Sequence, residues 1–326
     1  MNSKSASRGV WLACIVAAFG VLSPARDVGA QSDFPTKSIT LITPGTAGAP
    51  DVLIRSVAEG IRTRTGATVA VESRVGAAGA IAAVAIASAK PDGYTIGMLY
   101  SGALIASPLV NKDLNYDPIK SFEPISMLAR AGTIWVAAPS FPANNFAEVL
   151  KLAKSRSAPL SVSIGSMANK LALLAIADAA GVKFLEVPVT TSASLHGAIL
   201  SGSLDIGLEA PGSVLGFIKE GREKALVTGD LTREPLYPDV GTINDVLPGK
   251  TMTIWFALLA PAGTPKDRLA LLERVTRGSL DDPQMKAKIS AAGFNVVGGA
   301  SKDLADEIRA TRDQFEKVVR QYGISQ

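Results

Sequence analysis

Ile39-Thr40-Leu41-Ile42-Thr43-Pro44-Gly45-Thr46-Ala47-Gly48-Ala49-Pro50-Asp51-Val52-Leu53-Ile54-Arg55 reads as a strand, a tight turn and the opening of a helix. The apolar, β-branched run 39–43 suits a buried strand. The Pro- and Gly-rich turn 44–51 ends it. From there Leu53, Ile54, Val57, Ala58 and Ile61 recur at helical spacing, so 51–64 is expected to be an amphipathic helix. A helix start leaves backbone N–H groups open and carries the positive end of the helix dipole, which together make a seat for a small anion. Gly45, Thr46, Ala47, Gly48 and Ala49 are the candidate contacts. Asp51 reads as a contact to a ligand amine or water, or as a complement to the dipole, and the second reading is favoured.

The same grammar recurs along the chain. Strands are expected at 39–43, 68–72, 94–99, 123–128, 133–138, 160–164, 184–189, 205–209, 224–228 and 254–259. Helices are expected at 51–64, 77–89, 146–156, 168–180, 193–201, 212–219, 265–280, 283–292 and 302–321. Alternation with short links argues for parallel α/β sheets, and so many strands divide better into two groups than one. Asn145 with Glu148 resembles a capping box, Thr264-Pro265 and Asp282-Pro283 place a capping side chain before proline, and Gly293 reads as a helix terminator. A second strand–turn–helix unit, Ser163 to Asn169, offers Gly165, Ser166, Met167, Ala168 and Asn169 as another anion seat. Weaker candidates are Thr190, Thr191 and Ser192, and Ser101 after the strand at 94–99. Helix caps and turns use such hydroxyls equally well. Neither seat matches the phosphate-loop or dinucleotide glycine patterns.

Composition narrows the function. The chain has 326 residues and one cysteine, Cys14. Lys4 and Arg8, the apolar run from Val10 to Leu22 and the small residues Val28-Gly29-Ala30 read as a signal peptide cut after Ala30. The mature chain then has no thiol, which excludes disulfides and thiolate metal sites. Removing 1–30 takes away three basic residues and one acidic, leaving a net charge of +2 and no basic patch for nucleic acid. The single histidine, His196, cannot build a multi-histidine metal site, and the nucleophile elbow of a serine hydrolase is missing. A surface or structural role for His196 is favoured over catalysis. Trp135 and Trp255 sit in apolar strands and read as core.

Further markers run the length of the mature chain: Glu72-Ser73-Arg74-Val75-Gly76-Ala77-Ala78-Gly79, Pro91-Asp92-Gly93-Tyr94-Thr95, Tyr116-Asp117-Pro118, Ser201-Gly202-Ser203-Leu204-Asp205, Pro238-Asp239-Val240, the run from Trp255 to Pro265, and Val297-Gly298-Gly299. In this order and spacing they resemble the substrate-binding proteins of tripartite tricarboxylate transporters, the TctC or Bug family. The resemblance implies a type II periplasmic binding fold: two doubly wound α/β lobes with a ligand cleft between them. It implies a first lobe at 31–128 and 238–326 and a second at 129–237. It further implies a monomeric periplasmic solute-binding protein with no cofactor and no chemical step. That protein captures a small organic carboxylate between loops 44–49 and 165–169 and hands it to membrane permease subunits. The first loop departs from the family pattern: it is one residue shorter, lacks the usual aromatic and carries Pro50, which has no N–H. The second keeps a central Gly and a hydroxyl and loses the usual Asn and His. Two alternatives remain: a ligand-sensing subunit for a membrane receptor, and a secreted hydrolase that would have to use His196.

Overall fold

β1 (Ile39–Thr43) lies inside a six-stranded sheet, paired in parallel with β2 (Val69–Ser73) and β3 (Thr95–Tyr100). The computed structural model describes residues 33–45, 49–189 and 191–324; the expected signal peptide, the loop tip Thr46, Ala47 and Gly48, and Thr190 lie outside them. α1 (Ala49–Thr65) follows β1, and α2 (Ala80–Ala87) follows β2. The helix expected from 77 starts later. Ala77 and Ala78 both adopt left-handed backbone (φ 46° and 49°) between Gly76 and Gly79, in a 3-10 turn, a conformation that L side chains resist. The Tyr100 hydroxyl donates to the Ala78 carbonyl at 2.6 Å and holds the turn. After β3 a buried π-helical turn, Gly102–Ala106, runs into the short α3 (Ser107–Val110).

The sheet is completed by β4 (Phe122–Gly132), β10 (Thr253–Pro261) and β11 (Asn295–Gly299), in the order β11-β4-β10-β3-β1-β2. β10 runs antiparallel to both β3 and β4. Alternation along β10 serves both faces of the sheet, because successive side chains of a strand point opposite ways. Trp255, Ala257 and Leu259 join the core under α2 and α11 (Ser301–Tyr322). Phe256, Leu258 and Ala260 join the core under α1, α9 (Lys266–Leu280) and α10 (Pro283–Ala291). Asp282 caps α10 as expected, accepting from the Gln284 and Met285 N–H groups. Thr264 does not cap α9: its hydroxyl turns back to the Pro261 carbonyl at 2.7 Å.

The remaining strands form a second sheet system. β5 (Ile134–Ala137) lies antiparallel between β8 (Gly207–Glu209) and β9 (Lys224–Thr228). β6 (Leu160–Ile164) pairs in parallel with β7 (Phe184–Pro188), and a parallel bridge Val162↔Ile206 joins the two groups. α4 (Phe146–Ser155) and α5 (Met167–Ala180) cover one face; α6 (Ser192–Ser201) and α7 (Pro211–Lys219) cover the other. The parallel pairing argued from alternation thus holds for β2-β1-β3 and for β7-β6. The strands that carry the chain between the sheets enter antiparallel.

Two crossings join the sheets: β4 passes into β5 at Thr133, beyond the expected boundary at 128, and β9 returns to β10 through residues 229–252. They are tied together. The Gly229 N–H donates to the Thr133 carbonyl (2.7 Å), Thr133 N–H to Met252 O (3.1 Å) and Met252 N–H to Gly229 O (2.8 Å). Of the residues 238–252 that the resemblance assigns to the first lobe, Val240, Ile243, Leu247 and Met252 pack with the second sheet's apolar clusters. The short α8 (Ile243–Val246), capped by Thr242, lies in this stretch.

Candidate functional site

β6, β7 and β8 end side by side, and each delivers the chain into a helix: α5, α6 and α7 respectively. Ligands of α/β sheets bind outside such carboxyl-terminal strand ends. Here the three helix starts surround a cleft of about 240 Å³. Ser163, Gly165 and Asn169 line it from the α5 side, Thr191, Ser192 and Leu195 from α6, and Leu208, Glu209 and Ala210 from α7. The crossing strands close it with Ala131, Gly132, Thr133 and Ile254. No Lys, Arg or His is among the described lining residues. What positive potential the cleft has comes from three helix N-termini, each equivalent to about half an elementary charge, and their open N–H groups.

Local sequence explains each helix start. Ser166 caps α5, its hydroxyl accepting from Asn169 N–H at 3.2 Å. Thr191 caps α6, accepting from Ser194 N–H at 3.2 Å. Pro211 opens α7 at the first helical position, where its missing N–H costs nothing.

The structure brings four of the sequence candidates together: Gly165, Asn169, Thr191 and Ser192 line the one cleft. Ser166 stands at its edge with its hydroxyl engaged as a cap. Met167 and Ala168 are not lining residues of the cleft; Ala168 joins the first sheet's apolar core and Met167, partly buried, packs against it. Gly45 and Asp51 are not among the cleft's lining residues. The Gly45 N–H faces Thr43 Oγ1, and its carbonyl accepts from Ser73. Asp51 pairs with Arg55 at 2.7 Å, one turn along α1. Its second oxygen is buried without a partner among the described residues. Ala49 opens α1. Ser101 is buried against a separate cavity of about 40 Å³ with Thr253, Glu307 and Thr311.

Among the cleft residues that the sequence candidates left out are Thr133 and Glu209. Thr133 reaches the cleft from the crossing, a position that no local pattern marks. Glu209 ends β8, and its carboxylate is fixed from two sides: Ser192 Oγ donates to Oε1 at 2.5 Å and Ala210 N–H to Oε2 at 3.2 Å. The signal for it was present, since a charged residue at the end of a strand, just before Ala210-Pro211, sits where the other two units keep their candidate contacts.

His196 takes the structural role. It is buried, its Nδ1 is 2.7 Å from Glu223 Oε1, and its ring stacks on Phe217 at 3.8 Å. It is not a lining residue of the cleft. Among the described residues, no group of three or more His, Cys, Asp or Glu is placed to hold a metal ion, and no helix is long and apolar enough to cross a membrane. The cleft is equipped to hold a small molecule by hydrogen bonds and helix ends.

Comparison with known proteins agrees over most of the chain. The family described as "Tripartite tricarboxylate transporter family receptor" matches residues 53–324. A relative from Bordetella bronchiseptica is 31% identical over 294 residues, covering 89% of this chain and 87% of that protein. The periplasmic binding protein BugD superposes with a TM-score of 0.70 at 27% identity, over 90% of this chain and 99% of that one. MatC of Rhodopseudomonas palustris, solved with bound malate, superposes with a TM-score of 0.69 at 26% identity, over 88% and 100%.

Proposed function

This chain belongs to the tripartite tricarboxylate transporter receptor family, and from that premise we propose that its cleft captures a small organic carboxylate in the periplasm and delivers it to membrane permease subunits. The family is one of solute-binding proteins rather than enzymes. One observation carries the reading: the starts of α5, α6 and α7 converge on a single cleft with no cationic side chain among its described lining residues. Such a site holds an anion by main-chain donors and dipoles. The malate bound in MatC supports the same ligand class.

In this reading the two sheet systems act as jaws and the tied crossings at Thr133, Gly229 and Met252 as their hinge. The ligand closes the jaws only as far as it binds the closed form better than the open one. The test is calorimetry on protein refolded free of ligand, against a panel of mono-, di- and aromatic carboxylates. Saturable binding of at least one panel member is expected, and a flat response to all of them sinks the reading.

A further inference from the structure

We propose that Glu209 makes the cleft select a carboxylate that also carries an ammonium or other N–H donor group, in preference to a plain dicarboxylate. The inference rests on the carboxylate reading above and narrows it to a zwitterionic or amide-bearing class.

Glu209 stands within the lining of the cleft, half-buried. A carboxylate offers about four lone-pair positions. Two are taken, one by Ser192 Oγ and one by Ala210 N–H, and both of these groups stand at the starts of α6 and α7. Glu209 therefore already sits as the anion at two of the three helix ends. It draws on their positive potential and leaves the start of α5, with Gly165 and Asn169, as the seat for a ligand anion. Glu209's remaining lone pairs have no Lys, Arg or His in the described lining to satisfy them.

The cleft thus combines two opposite preferences. The α5 end accepts a negative group. The Glu209 wall accepts a hydrogen-bond donor and is best satisfied by a cation. A dicarboxylate would have to place its second negative group in the same small, partly desolvated cleft as Glu209, where like charges repel strongly. Burial of an unmatched polar group is the usual source of steep discrimination between otherwise similar ligands.

The test compares four probes of similar length by calorimetry: butyrate, 2-aminobutyrate, 4-aminobutyrate and succinate, against the wild-type protein and Glu209→Gln. For the wild type, one of the two amino acids is expected to bind at least tenfold tighter than butyrate and succinate. Glu209→Gln is near-isosteric and can still accept from Ser192. It is expected to erase most of that preference and to strengthen succinate binding. Succinate binding to the wild type as tightly as the better-bound amino acid overturns the inference while leaving the carboxylate reading standing. So does an unchanged amino-acid-to-succinate ratio in Glu209→Gln. Failure of both amino acids together with every carboxylate in the wider panel overturns both. The wild-type ranking decides the matter even if the variant does not fold.

Discussion

Glu234, buried beside the return crossing, has its pKa raised, first by desolvation and then by the charge of Asp230, against a lowering hydrogen bond from Leu236 N–H. A carboxyl whose folded pKa lies above its unfolded value keeps its proton longer in the fold than in the open chain. Its contribution is therefore most favourable below the ordinary carboxylate pKa and is lost as pH rises through the folded value. Glu234→Gln removes that loss. The variant is expected to melt higher than wild type at pH 7 and level with it near pH 4, and thermal melts at the two pH values check this. A lower melting temperature at pH 7 would show that the charged form is the stabilised one. His196 shows how far single residues were legible. Its solitary status and apolar neighbours already argued for a structural role, and the structure supplies the partner, Glu223, from 27 positions away. Glu209 was not singled out because it ends a strand with no turn or capping pattern of its own to mark it.

Among the helices, α5 contributes Asn169 to the cleft and joins the two cores. It is apolar on two sides: Ala168, Leu171 and Ala175 pack with the first sheet's core, Leu173 and Ile176 with the second's. Such a helix has little amphipathic contrast, and its sequence could announce a helix but not which way it faced. That is why the sequence could not show that Ala168 joins, and Met167 packs against, the first sheet's core. Ser166→Ala removes the cap on Asn169 N–H and is expected to cost about 1 kcal/mol of stability. Because the hydroxyl is engaged by the helix, affinity should change less than in Glu209→Gln. Denaturant melts and calorimetry on the same samples separate the two effects. Elements with weak periodicity were missed or blurred. β11 is a short edge strand with two glycines, Gly298 lying at φ 59°. The π-helical turn at Gly102–Ala106 has no alternation to mark it.

Between the sheets, the crossings are the place that the proposed closure would have to bend. A Cβ added to Gly229 would lie 2.4 Å from the Met252 carbonyl oxygen and 2.7 Å from Thr133 Oγ1, closer than real atoms approach, and the obstacle is largely backbone. Gly229→Ala should therefore force the two crossing strands apart, at a cost on the order of 2 kcal/mol. If closure turns on this point, carboxylate affinity falls as well. A lowered melting temperature with unchanged affinity would instead place the hinge elsewhere. A further tie is the Tyr322 hydroxyl at the end of α11, which meets Asp178 of α5 at 2.5 Å. Helix α11 therefore reaches from the first sheet's core to the second sheet's covering helix.

Strand–turn–helix units are written in local code: β-branched runs, Pro and Gly turns, capping hydroxyls and helical spacing within a dozen or so residues. That code was enough to read the α/β class, nearly every element, and three of the turns that open helices. It could not say which of those turns meet. The starts of α5, α6 and α7 share a cleft because β6 pairs with β7 and, through Val162 and Ile206, lies beside β8, and such pairings join residues about 20 to 45 positions apart. Only the fold put Glu209 in one cleft with Gly165 and Asn169, seated Thr133 against Gly229 and Met252, and packed Met167 against the first sheet's core. Local propensity acts over neighbouring residues, whereas convergence is set by long-range strand register and core packing.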